Sequence, residues 1–184
     1  MTVAAVVTGS LRRALGGWGA AAALAWATAA VGAPIAQVGE PAPALDIKLL
    51  NGKTVKAKDL KGQVVITMIW ATWSPAARVA LADVQKLYSA HHRQGLEVLA
   101  LSIDEQVAEV RAFWQARSYT MPVGMRSDAF FDHYGRVSTT PMFYIVDRDG
   151  VLRHRIAGTI EADKLEALLK PLLAAPVPNS VARR

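Results

Sequence analysis

The run Trp70-Ala71-Thr72-Trp73-Ser74-Pro75-Ala76-Ala77-Arg78 places a hydroxyl where an apolar stretch gives way to a helical pattern, and Thr139-Thr140-Pro141 follows far downstream. Ser74 has two possible uses. As a nucleophile it needs a neighbouring base, because an unactivated hydroxyl is weak. As a helix N-cap it needs only the free N–H groups of the first turn, and Pro75 then sits at the first helical position, where a missing N–H costs nothing. None of His91, His92, His133 or His154 lies in either segment, so capping is the expected role. The chain contains no cysteine. No thiolate is therefore available, and no disulfide supports the domain. Metal readings fail on spacing. Asp147-Arg148-Asp149-Gly150 lacks the remaining ligands of an EF-hand loop and reads as a hairpin turn, while adjacent His91 and His92 on a helix point to different faces. No metal, cofactor or phosphate-binding glycine loop is expected.

The elements around these residues follow from periodicity. Residues 64–70 form a near-continuous apolar run of strand length, predicted to be a buried central strand. From Pro75 the period becomes helical, with Ala77, Leu81, Val84 and Tyr88 on one face and Gly95 at the end. Residues 96–103 read as a second apolar strand. Asp104-Glu105 is expected to open a second helix carrying Val107, Val110 and Trp114, so that strand, helix and strand form a parallel pair with a right-handed crossover. Asn51-Gly52 between residues 44–49 and 54–56 predicts a β-hairpin. A short helix over 129–134, strands over 142–146 and 151–157, and a final helix over 163–173 complete the pattern. The fold class is α/β, a central mixed sheet flanked by helices.

Hydrophobic residues make up 52% of the 184-residue chain and charged ones 20%, which fits one globular domain. The formal charge of +6 includes Arg12 and Arg13. The rest is only mildly basic, with scattered lysines densest from Lys48 through Lys53, Lys56, Lys58 and Lys61. This stretch reads as a solvated surface; it has no interleaved aromatics suited to nucleic acid, and among anionic partners lipid headgroups are the better match. Residues 1–36 have the layout of an export signal or membrane anchor: Arg12-Arg13, a long Ala/Gly-rich apolar stretch, and Ala27-Thr28-Ala29 suited to cleavage. The domain is expected over 37–173, with a disordered tail over 174–184 that carries Pro176 and Pro178. The location expected is periplasmic, or anchored in the inner membrane and facing the periplasm.

Taken together, the W-A-T-W segment at a helix start, the T-T-P before a strand, and the strand–D-x-D-G–strand hairpin resemble the TlpA/ResA-like branch of the thioredoxin superfamily. Its pattern reads W-A-T-W-C-x-P-C-R. The resemblance covers most of residues 38–173 and implies a thioredoxin fold with an N-terminal β-hairpin and a central helix-strand insertion. Both redox cysteine positions are replaced here, by Ser74 and Ala77, and thiol–disulfide exchange needs both sulfurs. Met68 stands where relatives often keep a buried polar or acidic residue that serves the second cysteine. Ala80 and Ala82 stand where TlpA-like sequences usually have Glu and Pro. The losses thus extend beyond the sulfurs themselves.

The resemblance also implies that Pro141 is cis and that the Thr140 backbone is free to pair with an extended peptide. Such a groove would be formed by Trp73, Ser74, Pro75, Thr140 and Pro141. Trp70 reads as core, whereas Trp73 could pack or flank the groove. The function expected is that of a non-redox module binding a protein or peptide segment. The alternative is a component of a thiol–disulfide pathway, of the cytochrome-maturation type, acting through a partner's thiols or by non-cysteine chemistry.

Overall fold

The computed structural model describes residues 35–178. The elements run β1 (Ile47–Lys48), β2 (Thr54–Val55), β3 (Val64–Trp70), α1 (Pro75–His91), β4 (Leu96–Ser102), α2 (Val107–Ala116), β5 (Val123–Met125), α3 (Asp128–Tyr134), β6 (Met142–Val146), β7 (Leu152–Ala157) and α4 (Ala162–Ala174). The export-signal reading of residues 1–36 falls almost wholly outside the described residues, as does the end of the tail. Among the described residues no helix is long and apolar enough to cross a membrane.

β3 is buried along its whole length because both faces of its sheet are covered, which explains its unbroken apolar composition. The sheet order is β5-β4-β3-β6-β7. β3 and β4 pair in parallel, from Val64 opposite Leu96 to Trp70 opposite Ser102. β6 returns antiparallel against β3, and β7 antiparallel against β6. Alternate residues of β3 serve separate cores. Val64, Ile66, Met68 and Trp70 meet Leu81 and Val84 of α1, Trp114 of α2 and Leu165 and Leu169 of α4. Val65 and Ile69 face Ile47, Leu99, Phe130, Tyr134 and Tyr144. Each fully buried side chain of this kind contributes about 1.5–3 kcal/mol.

Helix α1 starts where Pro75 occupies its first turn and Ser74 Oγ accepts from Ala77 N at 3.3 Å. Its far end tightens into a turn over His92–Gln94 and stops at Gly95, with φ +92°. A Cβ on Gly95 would lie 2.8 Å from Arg148 Nη1. That guanidinium donates from Nη1 to Gly62 O at 2.7 Å, and from Nη2 to Gln94 O at 2.8 Å and Leu173 O at 3.0 Å. The Asp147-Arg148-Asp149-Gly150 turn is held by Asp147 Oδ1, which accepts from Asp149 N and Val151 N.

Four details depart from the sequence reading. The hairpin strands β1 and β2 are only two residues each, and pair apart from the main sheet. β5 was not read from periodicity, although the resemblance implied a strand in the central insertion. It joins the edge of β4 through Ala100–Val123, Leu101–Gly124 and Ser102–Met125. Helix α2 begins at Val107 rather than at Asp104-Glu105, because the Asp104 carboxylate is engaged elsewhere. Helix α4 includes Ala174, which had been assigned to the tail, and ends as Ala175 turns extended before Pro176.

Candidate functional site

The C-terminal end of β3 delivers the loop 71–74 to the start of α1, and the segment before β6 runs past the same point. Ser74 Oγ lies 3.3 Å from Thr140 O and donates to it. Two stretches 66 residues apart in sequence are thereby brought into contact. Pro141 is buried directly beside this contact, and its peptide bond with Thr140 is cis. Gly158 N donates to Pro141 O at 2.9 Å, so the loop after β7 closes on the same place.

Exposure divides the two tryptophans. Trp70 is fully buried and packs on Phe113 and Trp114 at centroid distances of 5.4 and 5.3 Å. Trp73 is 66% exposed, which excludes the packing role and leaves its indole on the surface beside Ser74. Pro75 is also exposed, Thr140 is half-buried, and Ala77 is fully buried beneath the first turn. The Thr140 carbonyl, expected to be open, is partly occupied by the Ser74 hydroxyl. Its N–H forms no backbone hydrogen bond among the described residues.

Ser74 itself is only 5% exposed, and its hydroxyl is shared between Ala77 N and Thr140 O. No base reaches it. His91 and His92 stand at the far end of a 17-residue helix, roughly 25 Å away at 1.5 Å per residue. His91 faces Glu166 at 3.4 Å, and His92 Nδ1 lies 3.2 Å from Leu96 O. His133 closes α3 and His154 lies on β7. Nucleophilic catalysis by Ser74 has no support in this geometry. No group of three or more potential metal ligands converges among the described residues.

The sequence reading missed a second layer beneath the loop. Asp104 is 6% exposed and directs its carboxylate back across the end of the β3–β4 pair. Oδ2 accepts from Thr72 N at 2.9 Å and from Ser102 Oγ at 2.6 Å, while Oδ1 accepts from Thr72 Oγ1 at 2.6 Å. Bonds to an ionised carboxylate are stronger than neutral ones, so this carboxylate fixes the path of residues 71–74. The signal available in sequence was the register that sets Trp70 opposite Ser102. It becomes readable only once β3 and β4 are known to pair in parallel.

A surface cleft of about 540 Å³ adjoins this end of the molecule, lined by Val79 and Asp83 of α1 and by Thr159, Ile160, Glu161 and Lys164 around the start of α4. Val79 is 68% exposed. Arg78 lies over the Phe113 ring at 5.7 Å. The arrangement offers an apolar surface, a helix N-terminus and an available backbone N–H, without a reactive group.

Residues 38–155 match the model of the AhpC/TSA family. The thiol-disulfide oxidoreductase ResA of Bacillus thuringiensis strain Al Hakam is 30% identical over 137 residues, 74% of this chain and 79% of that protein. ResA of Geobacillus thermodenitrificans is 26% identical over 136 residues, 73% of this chain and 78% of its own. Among solved structures, a thioredoxin family thiol:disulfide interchange protein from Chlorobium tepidum superposes with a TM-score of 0.70 at 21% identity, over 77% of this chain and 100% of that one. StoA from Bacillus subtilis gives 0.60 at 21% identity, over 69% and 96%. The chain has the thioredoxin fold.

Proposed function

We propose, starting from the fact that the chain belongs to the AhpC/TSA family and resembles ResA-like thiol-disulfide oxidoreductases, that it is a binding module from which redox chemistry has been removed. The surface that holds the client is made by Trp73, Ser74, Pro75, Thr140 and Pro141. An extended protein segment lies along the 139–141 segment, pairs with the Thr140 N–H and covers the Trp73 indole. One observation carries this reading. The hydroxyl of Ser74, at the position where the resemblance implies a sulfur, is engaged by Ala77 N and Thr140 O, while Trp73 beside it remains 66% exposed. Chemistry has been lost and the recognition surface kept. The expected location is the periplasmic side of the inner membrane, through export or through an anchor in residues 1–36.

Two measurements test this. Purified protein is assayed for reduction of a disulfide substrate; turnover above the buffer control overturns the non-redox reading. A library of extended peptides is then titrated by fluorescence polarisation. Saturable binding that falls at least tenfold in Trp73→Ala, with an unchanged circular dichroism spectrum, supports the groove. Equal binding by the parent and this variant overturns it.

A second reading is favoured by the 30% identity to a thiol-disulfide oxidoreductase. Here the chain serves a thiol–disulfide pathway by holding a partner whose own thiols react. It predicts that the captured segments contain cysteine, and binding indifferent to cysteine argues against it.

A further inference from the structure

Helix α1 presents two different flanks above the peptide groove. Arg78 N donates to Ser74 O at 3.0 Å, which sets Arg78 one turn along α1 from the N-cap. Its guanidinium lies over the Phe113 ring of α2 at 5.7 Å, and that of Arg117, at the end of α2, lies over the same ring at 5.1 Å. Val79, about 100° round the helix from Arg78, faces instead the cleft toward α4. There Asp83 pairs with Lys86 at 2.9 Å and Glu161 with Lys164 at 3.1 Å. The charges on that flank are matched, and those beside Phe113 are not.

Arg78 and Arg117 are both exposed, and neither enters an ion pair among the described residues. A guanidinium stacked on a ring engages only its face, so the N–H groups around its edge stay free to donate. The other charges of this flank are Glu105, Glu109 and Arg111, and no ion pair joins either glutamate to the two arginines. Two like charges gathered on one ring repel, and carboxylates that bind them relieve that repulsion while matching the planar fork of each guanidinium.

We infer that the segment held in the groove is acidic, with carboxylates at alternate positions that seat on Arg78 and Arg117. Alternate residues of an extended chain share one side and lie about 6.5–7 Å apart, a spacing suited to two guanidiniums set on one ring. The inference rests on the peptide-groove reading and names the class of segment. A peptide is the occupant because strand pairing with the Thr140 N–H needs a peptide backbone.

The test is fluorescence polarisation of the full chain with three labelled peptides of one length and one apolar frame, carrying Asp, Asn or Lys at two alternate positions. The Asp peptide is expected to bind at least tenfold tighter than the Asn peptide, and the Lys peptide weaker than both. Arg78→Gln and Arg117→Gln, both surface changes, each cut the preference for Asp over Asn at least threefold, while Arg111→Gln leaves it unchanged. Trp73→Ala weakens the Asp and Asn peptides alike and keeps their ratio. Equal binding of these two peptides by the parent overturns the acidic assignment and leaves the groove standing. So does a preference that survives both substitutions at Arg78 and Arg117, or that falls as far in Arg111→Gln. Binding of all three peptides indifferent to Trp73→Ala overturns the groove reading instead. A single-stranded oligonucleotide that binds tighter than the Asp peptide, and is lost in the Arg78 and Arg117 variants, assigns the pair to phosphate and also overturns the proposal.

Discussion

Replacing Ser74 by alanine removes a single oxygen that both caps α1 and ties the 71–74 loop to the segment before β6. The cap, Ala77 N to Ser74 Oγ at 3.3 Å, is of a kind whose loss costs about 1 kcal/mol. The bond to Thr140 O, also 3.3 Å, is longer than the usual O–H···O range of about 2.5–3.0 Å, so the low end of the ordinary contribution applies, about 0.5 kcal/mol. At 5% exposure, water does not readily take the place of the lost partner. The sum is about 1.5 kcal/mol, and for a domain of this size the melting temperature should fall by about 3–6 °C. Urea titration followed by circular dichroism measures the first quantity and a thermal scan the second. Ser74→Asp separates the two contributions: its carboxylate caps the helix but cannot donate to Thr140 O, so it should recover the larger part only. A loss in Ser74→Ala smaller than about 0.5 kcal/mol, the scatter of ordinary surface changes, would refute the assignment of Ser74 as a structural hydroxyl.

Further outcomes follow from the same geometry. Asp104→Ala strands the Thr72 N–H and the Ser102 hydroxyl, and should cost about 1.5–3 kcal/mol, the range for bonds to a charged group; urea titration checks this, and Asp104→Asn should lose less. Burial raises the Glu97 carboxyl above its ordinary value, against the lowering influence of Val98 N and His92. Such a group favours folding while neutral, below its unfolded value near 4.5, and that advantage is lost as the pH rises through the raised native value. Glu97→Gln should therefore be more stable than the parent at neutral pH and equal to it below about pH 4.5, as melting temperatures across a pH series will show. Ser74→Cys with Ala77→Cys should form an internal disulfide, detected by thiol titration and mass spectrometry. A folded double variant that never oxidises would contradict the spacing.

Much of the frame was legible because it is written locally. The apolar run of β3, the Ser74-Pro75 helix start, the Asn51-Gly52 turn and the Asp147–Gly150 turn each depend on neighbours in sequence. β5 does not. It is three residues long with a glycine at its centre, and its existence depends on the free edge of β4 and on close approach of the β1 segment. A Cβ on Gly124 would lie 2.6 Å from Lys48 O. Asp104 misled for the same reason. Read locally it resembles a helix cap, but its carboxylate bonds Thr72, 32 positions earlier. The approach of the Ser74 segment to the Thr140-Pro141 segment followed from a family resemblance, since no periodicity carries it; the bond from Ser74 to the Thr140 carbonyl did not. Trp73 shows the complement: its type allowed either packing or display, and only the path of the loop decided.

The Arg148 fork, on the carbonyls of Gly62, Gln94 and Leu173, gathers the entry to β3, the exit of α1 and the last turn of α4 at one guanidinium. Detaching α4 alone would strip that cation of an acceptor while its other two remain, so the terminal helix gains little by fraying independently. Slow amide exchange in α4 and in the central strand should then report the same cooperative opening, which makes the C-terminal helix part of the stable nucleus and not a removable appendage.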